Sequence, residues 1–244
     1  MSGELQGRSA VVTGASRGIG RATALALARE GVQVVLAART LPDLEAVRGE
    51  VEALGVRALA VSCDVTQEAD VARLKAEALA AFGQVDILVN NAGVGRYANI
   101  LDTSPEEYDW MMDSNMRSTF LCTRAFLPEM VARGSGSIIT VSSQAGFYGY
   151  GGEAVYVATK FAQIGFCQAL DNEVREKGVK VSVIAPGSTN THFAFGLGRE
   201  PGEPRLQKML DPNAVADAVV YAAKQPDNAR VLLIGMRAMS EPVF

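Results

Sequence analysis

Apolar runs of strand length alternate with amphipathic stretches of helix length along almost the whole chain. Runs at 8–13, 32–38, 56–62, 86–90, 136–142, 179–185 and 230–234 predict seven strands. They are rich in Val, Ile and Ala and little interrupted by polar residues, as strands covered on both faces must be. The amphipathic stretches predict helices near 18–30, 41–54, 67–82, 105–132, 155–177 and 212–224. Regular alternation of the two gives βαβ units around a parallel sheet. The expected class is α/β, three layers deep (αβα), with residues 1–244 forming one domain because no linker-like stretch divides them.

Local signals agree with this pattern. Ser104-Pro105-Glu106-Glu107 supplies a cap, a proline at the first helical position and first-turn acids. Gly31, Gly55, Gly134 and Gly178 each follow a predicted helix, where a C-terminal cap belongs. Residues 190–211 break the rhythm: they carry glycines, prolines and two phenylalanines without a period, which predicts a substrate flap on the carboxyl edge of the sheet.

Two clusters carry chemistry. Gly14, Gly18 and Gly20 sit between the first strand and the first helix, where glycines allow a tight turn and let the backbone and helix N-terminus approach a pyrophosphate. Their spacing departs from the commoner G-x-G-x-x-G. Tyr156 and Lys160 stand four residues apart, on one face of a predicted helix, thirteen residues after Ser143. A cation favours a phenolate over a phenol, so this tyrosine is expected to trade protons near neutral pH. A proton donor beside a nucleotide cofactor makes a carbonyl reductase.

Taken together, Thr13-Gly14-Ala15-Ser16-Arg17-Gly18-Ile19-Gly20, Asn90-Asn91-Ala92-Gly93, Asn115, Ser143, Tyr156-x-x-x-Lys160 and Pro186-Gly187 resemble, in order and spacing, the short-chain dehydrogenase/reductase family. The resemblance is closest to its 3-oxoacyl-carrier-protein reductase-like branch. It implies a Rossmann-type fold with a seven-stranded parallel sheet and usually a homotetramer. It also implies Tyr156 as the acid that protonates a developing alkoxide, and Lys160 as the group that lowers the tyrosine pKa and bonds the nicotinamide ribose. Ser143 would orient the carbonyl, and Asn115 would hold a water linking Lys160 to solvent; for both, local backbone capping is the alternative. By the same resemblance Gly14, Ser16, Arg17, Gly18, Ile19 and Gly20 cradle the phosphates. Asn91, Ala92 and Gly93 pass beneath the adenosine, Asp64 and Val65 meet the adenine, and Pro186, Gly187, Thr189 and Thr191 meet the nicotinamide. Asp64 serves equally as a helix cap.

The end of the second strand offers no acid for a ribose 2′-hydroxyl; Arg39 stands there instead, with Arg17 inside the glycine turn. Two guanidinium groups suit a 2′-phosphate, so NADP(H) is expected over NAD(H). Gln144, Phe147, Tyr148, Tyr150, Phe193 and Phe195 are candidates for the substrate wall, with Ser143 and Tyr156 at its base, although some of the rings would equally pack the flap. His192, the sole histidine, faces either substrate or solvent. A free, fairly apolar ketone or aldehyde is the expected substrate, because no basic patch is evident for docking an acidic carrier protein. The carrier-bound 3-oxoacyl chain is the alternative substrate, and a dinucleotide-binding regulator without turnover the alternative of another class.

Composition narrows the partners. A net charge of −4 with no Lys/Arg stripe argues against nucleic acid. Three widely spaced cysteines, Cys63, Cys122 and Cys167, form neither a metal motif nor a disulfide framework and are expected to be reduced and buried. No apolar run reaches the roughly 18 residues of a membrane span, and no secretory leader is evident, so the cytoplasm is the expected compartment. The closing segment from Val231 to Phe244 lacks the Asp-Gly-Gly segment common in that branch, which bears on assembly.

Overall fold

Parallel pairing runs unbroken across seven strands in a computed structural model that describes residues 5–241. The strands are β1 (Ser9–Thr13), β2 (Gln33–Ala38), β3 (Ala58–Ser62), β4 (Ile87–Asn90), β5 (Gly136–Val141), β6 (Val179–Pro186) and β7 (Leu233–Met236). Their order in the sheet is β3-β2-β1-β4-β5-β6-β7. The helices are α1 (Gly18–Arg29), α2 (Leu41–Glu52), α3 (Glu68–Phe82), α4 (Pro105–Met112), α5 (Ser118–Arg133), α6 (Ala154–Val174) and α7 (Pro212–Ala223).

Side-chain alternation along each strand divides the core in two. Ala10 and Val12 of β1 join Val34, Leu36 and Ile139 on the face covered by α1, α2 and α7. Val11 joins Val35, Leu88 and Ile138 on the opposite face, under α3, α5 and α6. Both faces are therefore apolar, which explains why the strands read as continuous hydrophobic runs. The chain moves outward from β1 to β3 and then returns to β4 on the other side of β1. That reversal opens a crevice at the carboxyl ends of β1 and β4, the place where doubly wound sheets hold ligands.

Three boundaries differ from the sequence expectation. The single helix expected at 105–132 is α4 and α5 joined by a π-helical turn at Asp113–Arg117. Within that turn Asn115 exchanges two hydrogen bonds with the Val94 backbone, 2.7 and 2.9 Å long, which tie the widened turn to the loop after β4. β7 begins at Leu233 rather than 230, because Arg230 turns aside to make two bonds to Asp171 before the ladder with β6 starts. α6 ends at Val174, and residues Arg175–Lys177 tighten into a 3₁₀ turn. The flap is irregular apart from a 3₁₀ turn at Pro204–Lys208 and two isolated bridges. The last three residues of the closing segment, which bore on assembly, lie outside the described residues.

The signals that punctuate the helices act as read. Ser104 and Glu107 form a reciprocal capping box on α4. Gly134 closes α5 in the left-handed conformation at φ 69°.

Candidate active site

The crevice is a cleft of about 850 Å³ running from the glycine turn to the flap. Its floor is fixed by one buried hydroxyl. Thr13 Oγ1 accepts from the backbone N–H groups of Asn91 and Ala92 at 2.9 and 3.0 Å, and the Asn91 side chain donates back to the Thr13 carbonyl at 2.8 Å. The glycine turn after β1 and the loop after β4 are thereby locked together. Gly20 is required at this junction, since a Cβ there would overlap the Gly14 carbonyl.

The start of α1 is left open. Arg17 at its N-cap makes no side-chain cap, and the first turn holds no acid, so orphan N–H donors and the positive helix end face the cleft. Arg17 and Arg39 are both exposed on its rim. Among the described residues neither is in an ion pair. An uncapped helix start with two unpaired guanidinium groups fits a dinucleotide carrying an extra phosphate. Every residue expected to hold the cofactor lines this cleft, from Gly14, Ser16, Arg17, Gly18, Ile19 and Gly20 through Arg39, Asp64, Val65, Asn91, Ala92 and Gly93 to Pro186, Gly187, Thr189 and Thr191. Asp64 also has its local duty, accepting from the Thr66 N–H and hydroxyl at 3.0 and 2.8 Å.

Tyr156 and Lys160 project from α6 into the same cleft, beside Ser143 at the end of β5. Tyr156 is buried, and that burial raises its pKa strongly; Tyr97 adds to the effect, while the Ser143 hydroxyl pulls it down. Lys160 is only 4% exposed, and burial lowers its pKa to about 7. The expected coupling, in which Lys160 depresses the tyrosine pKa, is absent from this arrangement. The lysine Nζ stands 5.7 Å from the Tyr156 ring centre and donates instead to Gln163 Oε1 at 2.9 Å and the Val141 carbonyl at 3.4 Å.

Gln163 is the residue that motif reading passed over. It is fully buried; its Nε2 donates to the Asn115 carbonyl and to Thr119 Oγ1, both at 2.9 Å, while its Oε1 accepts from Lys160. A side-chain amide thus spans Lys160 and Asn115, where a water was expected. Asn115 does not line the cleft: it is fully buried, and its side-chain amide is committed to Val94 and Thr159.

The substrate end is aromatic. The Tyr156 ring meets Tyr97 edge-on at 6.0 Å and Phe193 at 5.8 Å. Ser143, Gln144 and Tyr150 also line the cleft. Phe147 and Tyr148, expected in this wall, are not among the lining residues; the Phe147 ring packs on the core beside α6 and against Tyr148, after the 3₁₀ turn Gln144–Gly146. His192 is exposed, with its ring against Phe195 at 5.3 Å. Tyr97, Trp110, Arg199 and Arg237 line the cleft without having been expected there. They carry no local motif, and only the fold brings them together, from the loop after β4, α4, the flap and the segment after β7.

Comparison with known proteins agrees with this geometry. The sequence model described as short chain dehydrogenase matches residues 8–200. The chain belongs to that family of oxidoreductases. It is 38% identical over 230 residues to 3-oxoacyl-[acyl-carrier-protein] reductase of Synechocystis sp., covering 93% of each chain. It is 37% identical over 247 residues to glycine betaine reductase ATRR of Emericella nidulans, covering 99% of this chain but only 19% of that longer protein. Among solved structures, an alcohol dehydrogenase from Thermococcus sibiricus complexed with 5-hydroxy-NADP superposes with a TM-score of 0.89 at 31% identity, covering 97% of this chain and 99% of that one. A 3-ketoacyl-(acyl-carrier-protein) reductase from Brucella melitensis complexed with NADH superposes at 0.87 and 31% identity, covering 96% and 98%. Among the described residues no helix is long and apolar enough to cross a membrane, and no cluster of His, Cys, Asp and Glu is poised to hold a metal.

Proposed function

We propose that the chain is an NADP(H)-dependent reductase of small-molecule ketones or aldehydes, reversible toward the alcohol. The observation that carries this is a buried tyrosine sharing one cleft with an uncapped helix start and two unpaired arginines. When bound, a reduced nicotinamide supplies two electrons as hydride to the carbonyl carbon. The protein's part is the proton and the position. With its pKa raised by burial, Tyr156 keeps its proton at neutral pH and donates a hydrogen bond to the carbonyl oxygen, then the proton itself as negative charge grows there. The Ser143 hydroxyl donates a second bond and fixes the carbonyl. Lys160, whose pKa burial lowers to about 7, would hold the nicotinamide ribose and supply a charge or a proton behind the tyrosine. Arg17 and Arg39 take the 2′-phosphate, and the glycine turn takes the pyrophosphate.

The carrier-bound 3-oxoacyl substrate remains the alternative, favoured by the likeness to the Synechocystis and Brucella reductases. A regulator without turnover is disfavoured, since Ser143, Tyr156 and Lys160 are all present. A homotetramer accompanies the function: α5 and α6 turn Phe120 and Phe161 outward at 43% and 46% exposure beside exposed Gly165, a surface that a second copy would cover. Three free, buried thiols suit the cytoplasm. A panel of free ketones, aldehydes and a 3-oxoacyl thioester, assayed with NADPH and NADH, tests the function. Turnover of no carbonyl compound with either cofactor overturns it.

A further inference from the structure

Arg199 is the one arginine of the described residues that is buried without a carboxylate. It is 7% exposed, and no Asp or Glu lies within ion-pair distance of it. Less buried arginines elsewhere face carboxylates: Arg96 pairs with Glu107 at 2.8 Å, Arg133 with Asp86 at 3.7 Å and Arg230 with Asp171 at 2.6 Å. Arg199 instead makes one long bond, to the Thr189 carbonyl at 3.3 Å, and lies against two aromatic rings, Tyr97 at 5.7 Å and Phe193 at 5.9 Å, with the Tyr97 hydroxyl also in reach. A guanidinium carries five N–H donors and a fixed charge. Glu153 and Glu203 lie within its electrostatic reach but beyond ion-pair distance, so the guanidinium, withdrawn from water and facing mostly rings, retains donors that no carboxylate of the described residues takes up.

Its place in the cleft says whose anion that is. The two rings that hold Arg199 are the two that contact the ring of Tyr156. The guanidinium therefore sits one ring away from the proton donor and lines the same cavity. The flap is folded to keep it there: the Arg199 N–H bonds the Ala194 carbonyl at 3.0 Å, and Ala194 is the only non-glycine among the described residues with positive φ, at 60°. A backbone held in that region at a site edge is a cost that functional placement explains.

We infer that Arg199 is a subsite for a carboxylate on the substrate, so that the preferred carbonyl compound is an oxo acid with one carboxylate a few bonds from its reacting carbon. The inference rests on the carbonyl-reductase function and changes the substrate from the fairly apolar ketone expected from the aromatic residues. A planar carboxylate meets a guanidinium through two parallel bonds. Glu153 limits the charge that the site accepts. It also lines the cavity, beyond ion-pair distance from Arg199, and is half-buried with its pKa raised by that burial against the pull of Arg199. A dianionic phosphate would face this carboxyl, whereas a monoanion is neutralised by Arg199 alone. The other two nearby arginines are engaged: Arg205 with Glu203, and Arg237 with Gln144 and Tyr150.

The test compares ketone acids, with one to three carbons between the two groups, against their methyl esters, using NADPH with the wild type, Arg199→Met and Arg199→Lys. A charge-assisted bond makes the expected preference for acid over ester in kcat/KM about tenfold to a hundredfold. Arg199→Met erases that ratio, and Arg199→Lys keeps part of it. A wild type that prefers the esters, or an acid-to-ester ratio equal in all three proteins, overturns the subsite. Should Arg199→Met fail to fold, Arg199→Lys decides: retained charge with unaltered stability must retain the preference for acids. Binding of benzoate against benzamide, followed by fluorescence of Trp110, separates this idea from the reductase function. Benzoate binding that depends on Arg199 in a protein that reduces nothing upholds the subsite and removes the reductase, and binding indifferent to Arg199 removes the subsite.

Discussion

Lys160 predicts an unusual dependence of stability on pH. In the unfolded chain its ammonium titrates at 10.5; in the folded protein burial lowers the pKa to about 7. Below about 7 both states hold the proton, and the full cost of burying the charge is felt. Between 7 and 10.5 the unfolded chain binds a proton that the folded one does not, so stability rises with pH. One proton gives about 1.4 kcal/mol per pH unit, hence roughly 2–3 kcal/mol between pH 7 and 9. Above 9 the thiols oppose it. Burial raises Cys63 from 9.0 to about 12 and Cys167 to about 11, and raises Cys122 further, so each contributes stability that is complete below 9 and lost as pH climbs. The three thiols then outweigh the lysines, and the maximum falls near pH 9.

Urea unfolding of the ligand-free protein at intervals from pH 6 to 10 checks this. Lys160→Met, which removes the buried charge at similar volume, should abolish most of the rise between 7 and 9. The pKa of Lys180 is also lowered by burial and contributes a smaller rise that survives the substitution. Two changes at Gln163 give opposite signs. Gln163→Leu deprives the ammonium of its 2.9 Å acceptor, lowers the lysine pKa further and starts the rise at lower pH. Gln163→Glu places a negative charge there, raises the lysine pKa and delays the rise. Parallel stability curves for the wild type and Lys160→Met would refute the assignment of the buried charge.

Tyr156→Phe should lower turnover by about 10²–10⁴ while NADPH binding stays within a few-fold, because only the proton donor is lost; near-normal kcat in that variant contradicts the role. NADPH should exceed NADH in kcat/KM by about tenfold to a hundredfold, and Arg39→Ala with Arg17→Ala should reverse most of that, with the ratio of the two cofactors as the readout. Light scattering at micromolar concentration should report four copies, and Phe161→Glu on the exposed face of α6 should shift the population toward smaller species; a wild-type monomer rules out the tetramer.

The layered sheet was legible because its signal is periodic and local. Strands covered on both faces must be apolar at every position, and the glycines that end helices announce themselves one residue at a time. What failed to show in the pattern depends on geometry that has no sequence period. The π turn at Asp113–Arg117 adds one residue to a helix whose polar and apolar rhythm continues through it, and the reason for it, the two bonds between Asn115 and Val94, spans 21 residues. The shift of β7 likewise follows from Arg230 reaching Asp171 across 59 positions.

The site divides along the same line. Its motif residues were legible as a set because phosphate cradling and proton transfer constrain residue type at fixed spacing. The residues that tune it were not. Gln163 lies three positions after Lys160, on the same buried face of the helix as Thr159 and Lys160, so a polar residue one turn beyond the lysine was the available signal. A buried glutamine must satisfy both ends of its amide, and the groups within reach were Lys160 on one side and Asn115 on the other. Arg199 gives no such signal, because an arginine in a glycine-rich flap is ordinarily a solvated residue. Its meaning comes from burial without an ion-paired carboxylate, a property that exists only once Tyr97 and Phe193 have closed around it. In this chain the motif residues that line the cleft can therefore be read from spacing, while Arg199, Tyr97 and Phe193 come together only in the folded flap and the loop after β4.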